Sequence, residues 1–281
     1  MHIKTDHITR VIAVTGGKGG VGKSNVSLNL AIALAKHRLR VAILDADLSL
    51  ANINILLGLR VQRNLSHVLN GECRLADIVV EGPAQTKIIP AASGIQGLAQ
   101  LSAINHINLI HAFSEIAADI DVLIVDTAAG IADSVINFAS AAQEVLVVVC
   151  NEPTSITDSY ALIKVLSQER GIERFHIVAN MVHSYPEGQQ LFRKLLQVSE
   201  KFLNVNLQFL GSIPFDDYVR KAVKIQQAVL MAYPSSVASR HFMQLAEQIM
   251  HWPQPEIISG KVSFFLEQII QGIQPQQGIA S

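Results

Sequence analysis

Short runs of aliphatic and β-branched residues alternate with longer segments of helical periodicity as far as Ile213. Runs such as VLIVD and EVLVVV are almost continuously apolar, which is typical of strands covered on both faces. The alternation predicts βαβ units and an α/β fold: a mostly parallel twisted sheet of roughly seven to eight strands, covered by helices on both faces. The predicted strands are Val11–Thr15, Val41–Leu44, Lys87–Pro90, Asp121–Asp126, Glu144–Val149, Phe175–Ala179 and Leu207–Ile213.

The pattern becomes wholly helical after the last predicted strand. Its periodicity predicts two helices, Asp216–Met231 and Ser235–Trp252, and we expect a single domain over residues 1–252. Two prolines close together then interrupt the chain, so residues 253–260 are predicted to be a linker.

Residues 261–273 predict a C-terminal amphipathic helix, and residues 274–281 a flexible tail. Two interpretations of the helix stay open, because its apolar stripe suits either a membrane surface or the core of the domain. The polar face carries few basic residues, so attraction to anionic lipid would be slight. The stripe consists of Val262, Phe265, Leu266, Ile269, Ile270 and Ile273.

The charge of the chain argues against a nucleic-acid-binding protein. Its formal net charge is -1 and only 16% of its residues are charged, so direct, specific DNA binding is not expected. A small cluster of Arg220, Lys221 and Lys224 is explained more simply as a solvated helix face. Cys73 and Cys150 are too far apart for a paired metal or redox motif. With neither a signal peptide nor a membrane-spanning run, the sequence predicts a cytoplasmic protein.

The strongest motif is a phosphate-binding loop between the first predicted strand and the helical run Asn25–Lys36. Its glycines allow successive N–H groups to face a phosphate, and the helix N-terminus adds its positive end. We expect Lys23 to reach the β- and γ-phosphates and the Ser24 hydroxyl to ligate Mg²⁺. The loop consists of Gly17, Lys18, Gly19, Gly20, Val21, Gly22, Lys23 and Ser24, and Asn25 directly after it is also expected to bind the nucleotide.

Acidic residues end two of the predicted strands, where open α/β sheets place groups that face a ligand. Asp45 and Asp47 follow the second strand, and Asp126 ends the strand VLIVD in the Walker B pattern. We expect Asp126 to hold Mg²⁺ through water, with outer-shell support from Asp45. The alternative for Asp45 and Asp47 is simple capping of the next helix.

Lys18, a second lysine inside the loop, resembles the signature lysine of the deviant Walker A family, the MinD/ParA group of ATPases. The resemblance implies that Lys18 reaches across a homodimer to the partner's nucleotide, as an arginine finger does. The segment DADLSLAN matches the family's switch I, which implies that Asp47 activates the attacking water and that Asn52 belongs to the switch. Gly130, in the turn after Asp126, would belong to switch II.

The resemblance also implies contacts at the base and at the dimer face. Asn180 and the turn of Pro214, Phe215 and Asp216 would flank adenine, which is favoured over guanine because the chain lacks an Asn-Lys-x-Asp motif. The implied cofactors are ATP and Mg²⁺. Glu152 and Asp158 match positions near the dimer face that contact the opposite nucleotide or the signature lysine; helix capping around Thr154 and Ser155 is the alternative.

Longer stretches resemble the flagellar-number regulators of the FleN/FlhG type, a MinD-like branch of this family. They are GGKGGVGKSNVSLNLA, DADLSLANINILLGL, IPAASGIQ, VDTAAGIADSV, NEPTSITDSYALIK and IPFDDYVRKAV.

This resemblance implies an ATP-gated homodimer with slow, partner- or dimer-stimulated hydrolysis, attached in the ATP state to the inner face of the cell membrane. The implied partners are a σ54-type flagellar transcription activator (FleQ-like) and a placement GTPase of the signal-recognition-particle type (FlhF-like). No DQAxxLR-like N-terminal element is present, which puts one family contact in doubt. A MinD-type division regulator, a ParA-like partition ATPase and a non-enzymatic, ATP-stabilised binding module stay open as alternatives.

Overall fold

The computed structural model describes residues 8–47, 52–90, 113, 116, 119–254 and 267–269. Two 3₁₀ turns, Leu75–Asp77 and Pro83–Gln85, lie among its regular elements. The strands are β1 (Arg10–Thr15), β2 (Val41–Ala46), β3 (Val80–Glu81), β4 (Lys87–Pro90), β5 (Val122–Thr127), β6 (Glu144–Cys150), β7 (Arg174–Val182) and β8 (Asn206–Pro214). The helices are α1 (Lys23–Lys36), α2 (Asn52–Leu57), α3 (Leu65–Leu69), α4 (Asp133–Ala141), α5 (Pro153–Arg170), α6 (Tyr185–Phe202), α7 (Asp217–Lys224), α8 (Val229–Ala232) and α9 (Val237–Met250).

All eight strands join one sheet in the order β3-β4-β2-β5-β1-β6-β7-β8. Every neighbouring pair is parallel except β3 with β4. The predicted mostly parallel sheet is confirmed, and all seven predicted strands are present. The strand that the sequence pattern did not predict is β3, whose two residues are too short to show any periodicity.

Helices cover both faces of the sheet, as predicted. On one face α1 and α9 pack over the sheet, with Leu30 and Phe242 among their buried side chains. On the other face lie α4, α5 and α6, represented by Phe138, Leu162 and Leu195. Because β1, β5 and β6 are apolar on both faces, their side chains contribute to both cores, which places the central strands away from solvent.

The single helix predicted over Asp216–Met231 is wrong, since the segment forms two helices, α7 and α8, separated by a break. At the break Gln226 has a left-handed backbone (φ 54°). Its side-chain Nε2 donates to the carbonyl of Ile55 at 3.3 Å. The amide of Leu230, in the first turn of α8, donates to the buried Oδ1 of Asn29 at 3.1 Å. These tertiary bonds replace the bonds that a continuous helix would have made.

A buried arginine fixes the C-terminal end of α9, which the sequence predicted to within two residues. The Arg10 guanidinium donates to the carbonyls of Ile249 at 2.8 Å, Trp252 at 3.2 Å and Pro253 at 2.6 Å. It also lies 5.7 Å from the centre of the Trp252 ring, which stacks on His176 at 3.9 Å. The first strand therefore ties down the last turn of α9 and the two residues Trp252 and Pro253 that follow it.

Most of the predicted linker, C-terminal helix and tail lies outside the described residues. The described residues 267–269 are helical, and the side chain of Ile269 is buried in the core on the side of α4, α5 and α6. At this position the apolar stripe packs on the domain. In the described parts of the chain, no helix is both long and apolar enough to cross a bilayer.

We expect Arg10→Met to lower the free energy of unfolding by about 2 kcal/mol or more, because the carbonyls of Ile249, Trp252 and Pro253 lose the buried guanidinium donor. Urea denaturation followed by circular dichroism measures the change. Arg240→Met, on the exposed side of the same helix, is the matched control and should change stability by less than about 0.5 kcal/mol. Equal losses in the two variants would contradict the role given to Arg10.

Candidate nucleotide-binding site

The predicted loop lies at the carboxyl ends of the central strands and joins β1 to α1. Gly20 and Gly22 have left-handed backbones, with φ of 80° and 88°, and Gly22 is the N-cap of α1. These conformations favour glycine and turn the backbone N–H groups of the loop in the way that phosphate binding requires. A Cβ on Gly17 would lie 2.1 Å from the backbone carbon of Asp158, so the loop packs directly on α5.

Three ionisable side chains meet beneath the loop in a buried cluster. Asp45 and Asp126 are register partners on the adjacent strands β2 and β5, both are fully buried, and Lys23 is only 8% exposed. Burial, followed by the charge of Asp126, raises the pKa of Asp45 to about 7. Burial also raises the pKa of Asp126 to about 6 and lowers the pKa of Lys23. A bound cation would favour the ionised form of the two acids, and a bound anion would favour the charged form of the lysine.

The acids fit a magnesium ion that bridges to phosphates. Asp45 Oδ1 and Asp126 Oδ2 are buried and have no hydrogen-bond partner among the described residues. Ser24, in the first turn of α1, lies near enough to Asp126 to oppose the rise in pKa that burial causes, so the three predicted magnesium residues lie close together. No group of three or more His, Cys, Asp or Glu in the described parts of the chain forms a metal site by itself. Mg²⁺ keeps several waters and binds substrate phosphates with only one or two protein groups, which suits this arrangement.

The switch I residues are tied to the same acids. Asn52 Nδ2 donates to Asp47 Oδ2 at 3.0 Å, and the amide of Ile53 donates to Asp45 Oδ2 at 3.2 Å. The N-terminal turn of α2 is thereby held by both carboxylates. The capping alternative is correct as far as Asp45 is concerned, although its other oxygen, Oδ1, has no hydrogen-bond partner among the described residues. Residues 48–51 lie outside the described residues.

The signature lysine points away from its own loop toward α5. Lys18 Nζ lies 2.5 Å from Glu152 Oε2 and 2.8 Å from Thr154 Oγ1. The hydrogen bond to Glu152 is the largest cause of a raised pKa for Lys18. Glu152 occupies the N-cap position of α5, but its side chain makes no capping bond. The lysine interpretation of Glu152 is therefore favoured over helix capping, while Asp158 meets the loop through its backbone beside Gly17.

The residues predicted to flank the base surround the other side of the loop. Asn180 Nδ2 donates to the carbonyl of Val21 at 2.8 Å and lies against Gly22. Pro214 ends β8, and the side chain of Phe215 is 47% exposed next to it. Asp216 caps two helices at once, since its Oδ1 and Oδ2 accept from the amides of Tyr218 at 2.9 Å and Ala238 at 3.0 Å.

The switch II turn is joined to the loop through the backbone. Gly130 has a φ of 96°, and its N–H donates to the carbonyl of Gly16 at 3.0 Å. Gly16 itself approaches the carbonyl of Val148 so closely that a Cβ would lie 2.8 Å away. A shift of the turn would therefore be felt directly at the start of the phosphate loop.

Two buried polar residues of α1 that hydrogen-bond to parts of this site were not predicted from the sequence. Ser27 Oγ donates to Asp126 Oδ1 at 2.7 Å, and Asn29 links the carbonyl of Asn25 to the N-terminus of α8. Both residues are fully buried. A signal was available, because Ser27 and Asn29 are the polar positions inside the otherwise apolar run VSLNLAIALA, and a buried polar group needs a partner.

A mostly parallel sheet with a glycine-rich loop, a buried lysine and two acids at its carboxyl edge defines a P-loop nucleotide-binding protein. The family model for ParA, described as NUBPL iron-transfer P-loop NTPase, matches residues 7–250. The chain therefore belongs to the ParA family of P-loop NTPases.

Two curated relatives narrow the comparison to flagellar regulators. The chain is 55% identical to the antiactivator FleN of Pseudomonas aeruginosa over 265 residues, which are 94% of this chain and 95% of the relative. It is 33% identical to the flagellum site-determining protein YlxH of Helicobacter pylori, with 85% and 81% of the two chains covered. The predicted resemblance to flagellar-number regulators of the FleN/FlhG type is confirmed.

The fold also matches a solved structure of the septum site-determining protein MinD from Pyrococcus horikoshii, complexed with Mg-ADP. The TM-score is 0.69 at 22% identity, with 87% of this chain and 97% of the other covered. This match confirms the MinD/ParA fold that the motifs predicted.

We expect the stability of the nucleotide-free protein to depend on pH through Asp45. Its pKa of about 7 lies above the ordinary value of 3.8, so the folded protein holds a proton that the unfolded chain releases. The stabilisation is present near pH 4 and is lost as the pH rises through about 7. Asp45→Asn stays neutral, so its stability relative to wild type should rise by on the order of 3 kcal/mol between about pH 4 and about pH 8.

Urea denaturation in EDTA at a series of pH values measures this difference. Asp217→Asn, at an exposed position, is the control and should differ from wild type by less than about 0.5 kcal/mol throughout. A difference between Asp45→Asn and wild type that does not change with pH would contradict the buried-acid interpretation.

Proposed function

We propose that the chain is an ATP-dependent switch that dimerises on ATP, hydrolyses it slowly, and limits flagellar number by antagonising a flagellar transcription activator. The observation that carries the proposal is the 55% identity to an antiactivator over 94% of this chain, with the complete phosphate loop and its acids in place. The relative called flagellum site-determining protein supports a role in placing flagella. Action together with a placement GTPase of the signal-recognition-particle type belongs to the same proposal.

The chemistry follows from the buried cluster. Lys23 would pair with the β- and γ-phosphates, and Ser24, Asp45 and Asp126 would hold a hydrated Mg²⁺. When bound, the ion neutralises phosphate charge and orients the phosphates for attack. Asp47 is the carboxylate left to orient the attacking water, and the amide of Asn52 fixes its position through the bond at 3.0 Å.

Dimerisation would complete the site. The side chain of Lys18 is 36% exposed, so it can leave Glu152 and Thr154 for the nucleotide of a second copy. Two large apolar side chains, Ile55 of α2 and Ile131 after the switch II turn, are 60% and 52% exposed next to the switches. Apolar surface of this kind beside a nucleotide supports a partner-covered face. Attachment of the dimer to the inner membrane surface through the C-terminal helix belongs to the same proposal.

Iron transfer, which appears in the description of the family model, has less support. Cys150 is buried and Cys73 is partly buried, and the two cysteines lie far apart in sequence. Neither belongs to a cluster of potential metal ligands in the described parts of the chain. Division-site and partition ATPases have the same fold, but the similarity to them is weaker. The septum site-determining protein MinD of Bacillus subtilis is 28% identical over 85% of this chain, against 55% over 94% for the antiactivator. A non-enzymatic binding module predicts no turnover, so a phosphate-release assay separates it from the switch.

We expect Asp47→Ala to bind ATP and Mg²⁺ and to accumulate as a dimer, because the water is no longer oriented while every phosphate contact is kept. Light scattering should give a monomer mass with ADP and twice that mass with ATP. A monomer in both states would contradict the switch.

We expect Lys18→Ala to bind nucleotide like wild type and to stay monomeric, with turnover reduced on the order of 100-fold or more, since the cation in trans is lost. Lys23→Ala is the comparison variant, and it should lose nucleotide binding itself. Equilibrium binding of a fluorescent ATP analogue, phosphate release and light scattering distinguish the two lysines. Dimers of Lys18→Ala with ATP would show that the lysine has no role in assembly.

A further inference from the structure

Ser27 lies one turn beyond the phosphate loop, on the face of α1 that is turned toward β5. The residue is fully buried. Its hydroxyl has one proton and two neighbouring acceptors, the carbonyl of Lys23 at 3.1 Å and Asp126 Oδ1 at 2.7 Å. The shorter distance and the acidic acceptor favour the bond to Asp126, because hydrogen bonds to charged groups are the stronger ones.

The bond to Ser27 leaves the two oxygens of Asp126 with different surroundings. Oδ1 accepts from Ser27, whereas Oδ2 is buried without a hydrogen-bond partner among the described residues. A carboxylate held by one oxygen cannot turn about its Cβ–Cγ bond without breaking that hydrogen bond. The second oxygen therefore keeps one orientation as long as the bond to Ser27 is intact.

Ser27 donates to Asp126, and Ser24, in the first turn of the same helix, lies near that carboxyl. The Ser24 hydroxyl is the group expected to ligate Mg²⁺, and its oxygen then serves the ion. Ser27 is too deeply buried to follow it and would remain as the hydroxyl that orients Asp126. The two serines, three residues apart on one helix, thus divide the work between the ion and the acid.

We propose that Ser27 is a positioning residue for Mg²⁺: it orients the Asp126 carboxylate so that Oδ2 faces the ion. This inference rests on the proposed function, since it assumes that the loop binds Mg²⁺ with an adenine nucleotide. Groups behind the direct ligands of a metal typically contribute 10- to 100-fold to metal affinity. The alternative is a purely structural hydroxyl that bonds back to the Lys23 carbonyl within its own helix.

The test measures magnesium binding apart from turnover. Fluorescent N-methylanthraniloyl-ADP is bound to the full chain in EDTA, and MgCl₂ is then titrated while the rate of nucleotide release is followed. For Ser27→Ala we expect the Mg²⁺ concentration for half-maximal slowing of release to rise about tenfold. Affinity for the nucleotide in EDTA should equal that of wild type, which also shows that the variant is folded.

Two further variants separate positioning from packing. Ser27→Thr keeps the hydroxyl and should restore the Mg²⁺ midpoint to within about threefold of wild type. Ser199→Ala removes another fully buried helical serine, whose Oγ has no hydrogen-bond partner among the described residues, and should leave the midpoint unchanged. In a double-mutant cycle, adding Ser27→Ala to Asp126→Asn should raise the midpoint no further, because Ser27 acts only through Asp126.

An unchanged midpoint in Ser27→Ala would overturn the proposal, and so would additive effects in the double-mutant cycle. Equal losses of affinity with and without Mg²⁺ would also overturn it, since they indicate a general role in folding. The proposed function fails in a different way, namely if the wild-type protein binds no adenine nucleotide or shows no response to Mg²⁺.

Discussion

Two carboxylates buried side by side at the ends of β2 and β5 are the constraint on which the site depends. The parallel register places Asp45 opposite Asp126, and neither side chain reaches solvent. Burial favours the protonated form of each acid and raises the pKa of both, and the charge of Asp126 adds to this effect at Asp45. A cation with its phosphates would stabilise the ionised pair, so binding of the nucleotide would be coupled to the loss of protons from the side chains of Asp45 and Asp126.

The elements around this pair have more than one use for their polar groups. Asp45 anchors α2 through one oxygen, and Asp126 accepts from Ser27 through one oxygen. The second oxygen of each acid has no hydrogen-bond partner among the described residues. Lys18 is bound to Glu152 and Thr154, although its place in the loop brings it to the surface. An exposed ion pair contributes little to stability, so a better partner can displace it. Such weakly held contacts suit a protein that changes state with its nucleotide.

Sequence patterns predicted the sheet and most of the site because both depend on local order along the chain. Apolar runs fix the strands, and the loop, Asp45 and Asp126 all stand at strand ends, where the parallel arrangement brings them together. What depends on contacts between distant segments was not predicted. The break between α7 and α8 comes from bonds to Asn29 and Ile55, which lie in other elements. The contact of Lys18 with Glu152, more than a hundred residues away, is the exception, because the family resemblance implied it as one of two possibilities. No periodicity within the segments themselves reports these partners.

The same distant contacts connect the nucleotide site to the break between α7 and α8. Asn29 accepts from the N-terminus of α8 and donates to the carbonyl of Asn25, the residue after Ser24. Gln226 holds the carbonyl of Ile55 in α2, whose first turn is fixed by Asp45 and Asp47. A movement of α2 on nucleotide exchange must therefore either break the bond to Gln226 or carry the α7–α8 break with it. Because α8 is also anchored to α1, the break is hydrogen-bonded both to the helix that follows the phosphate loop and to α2.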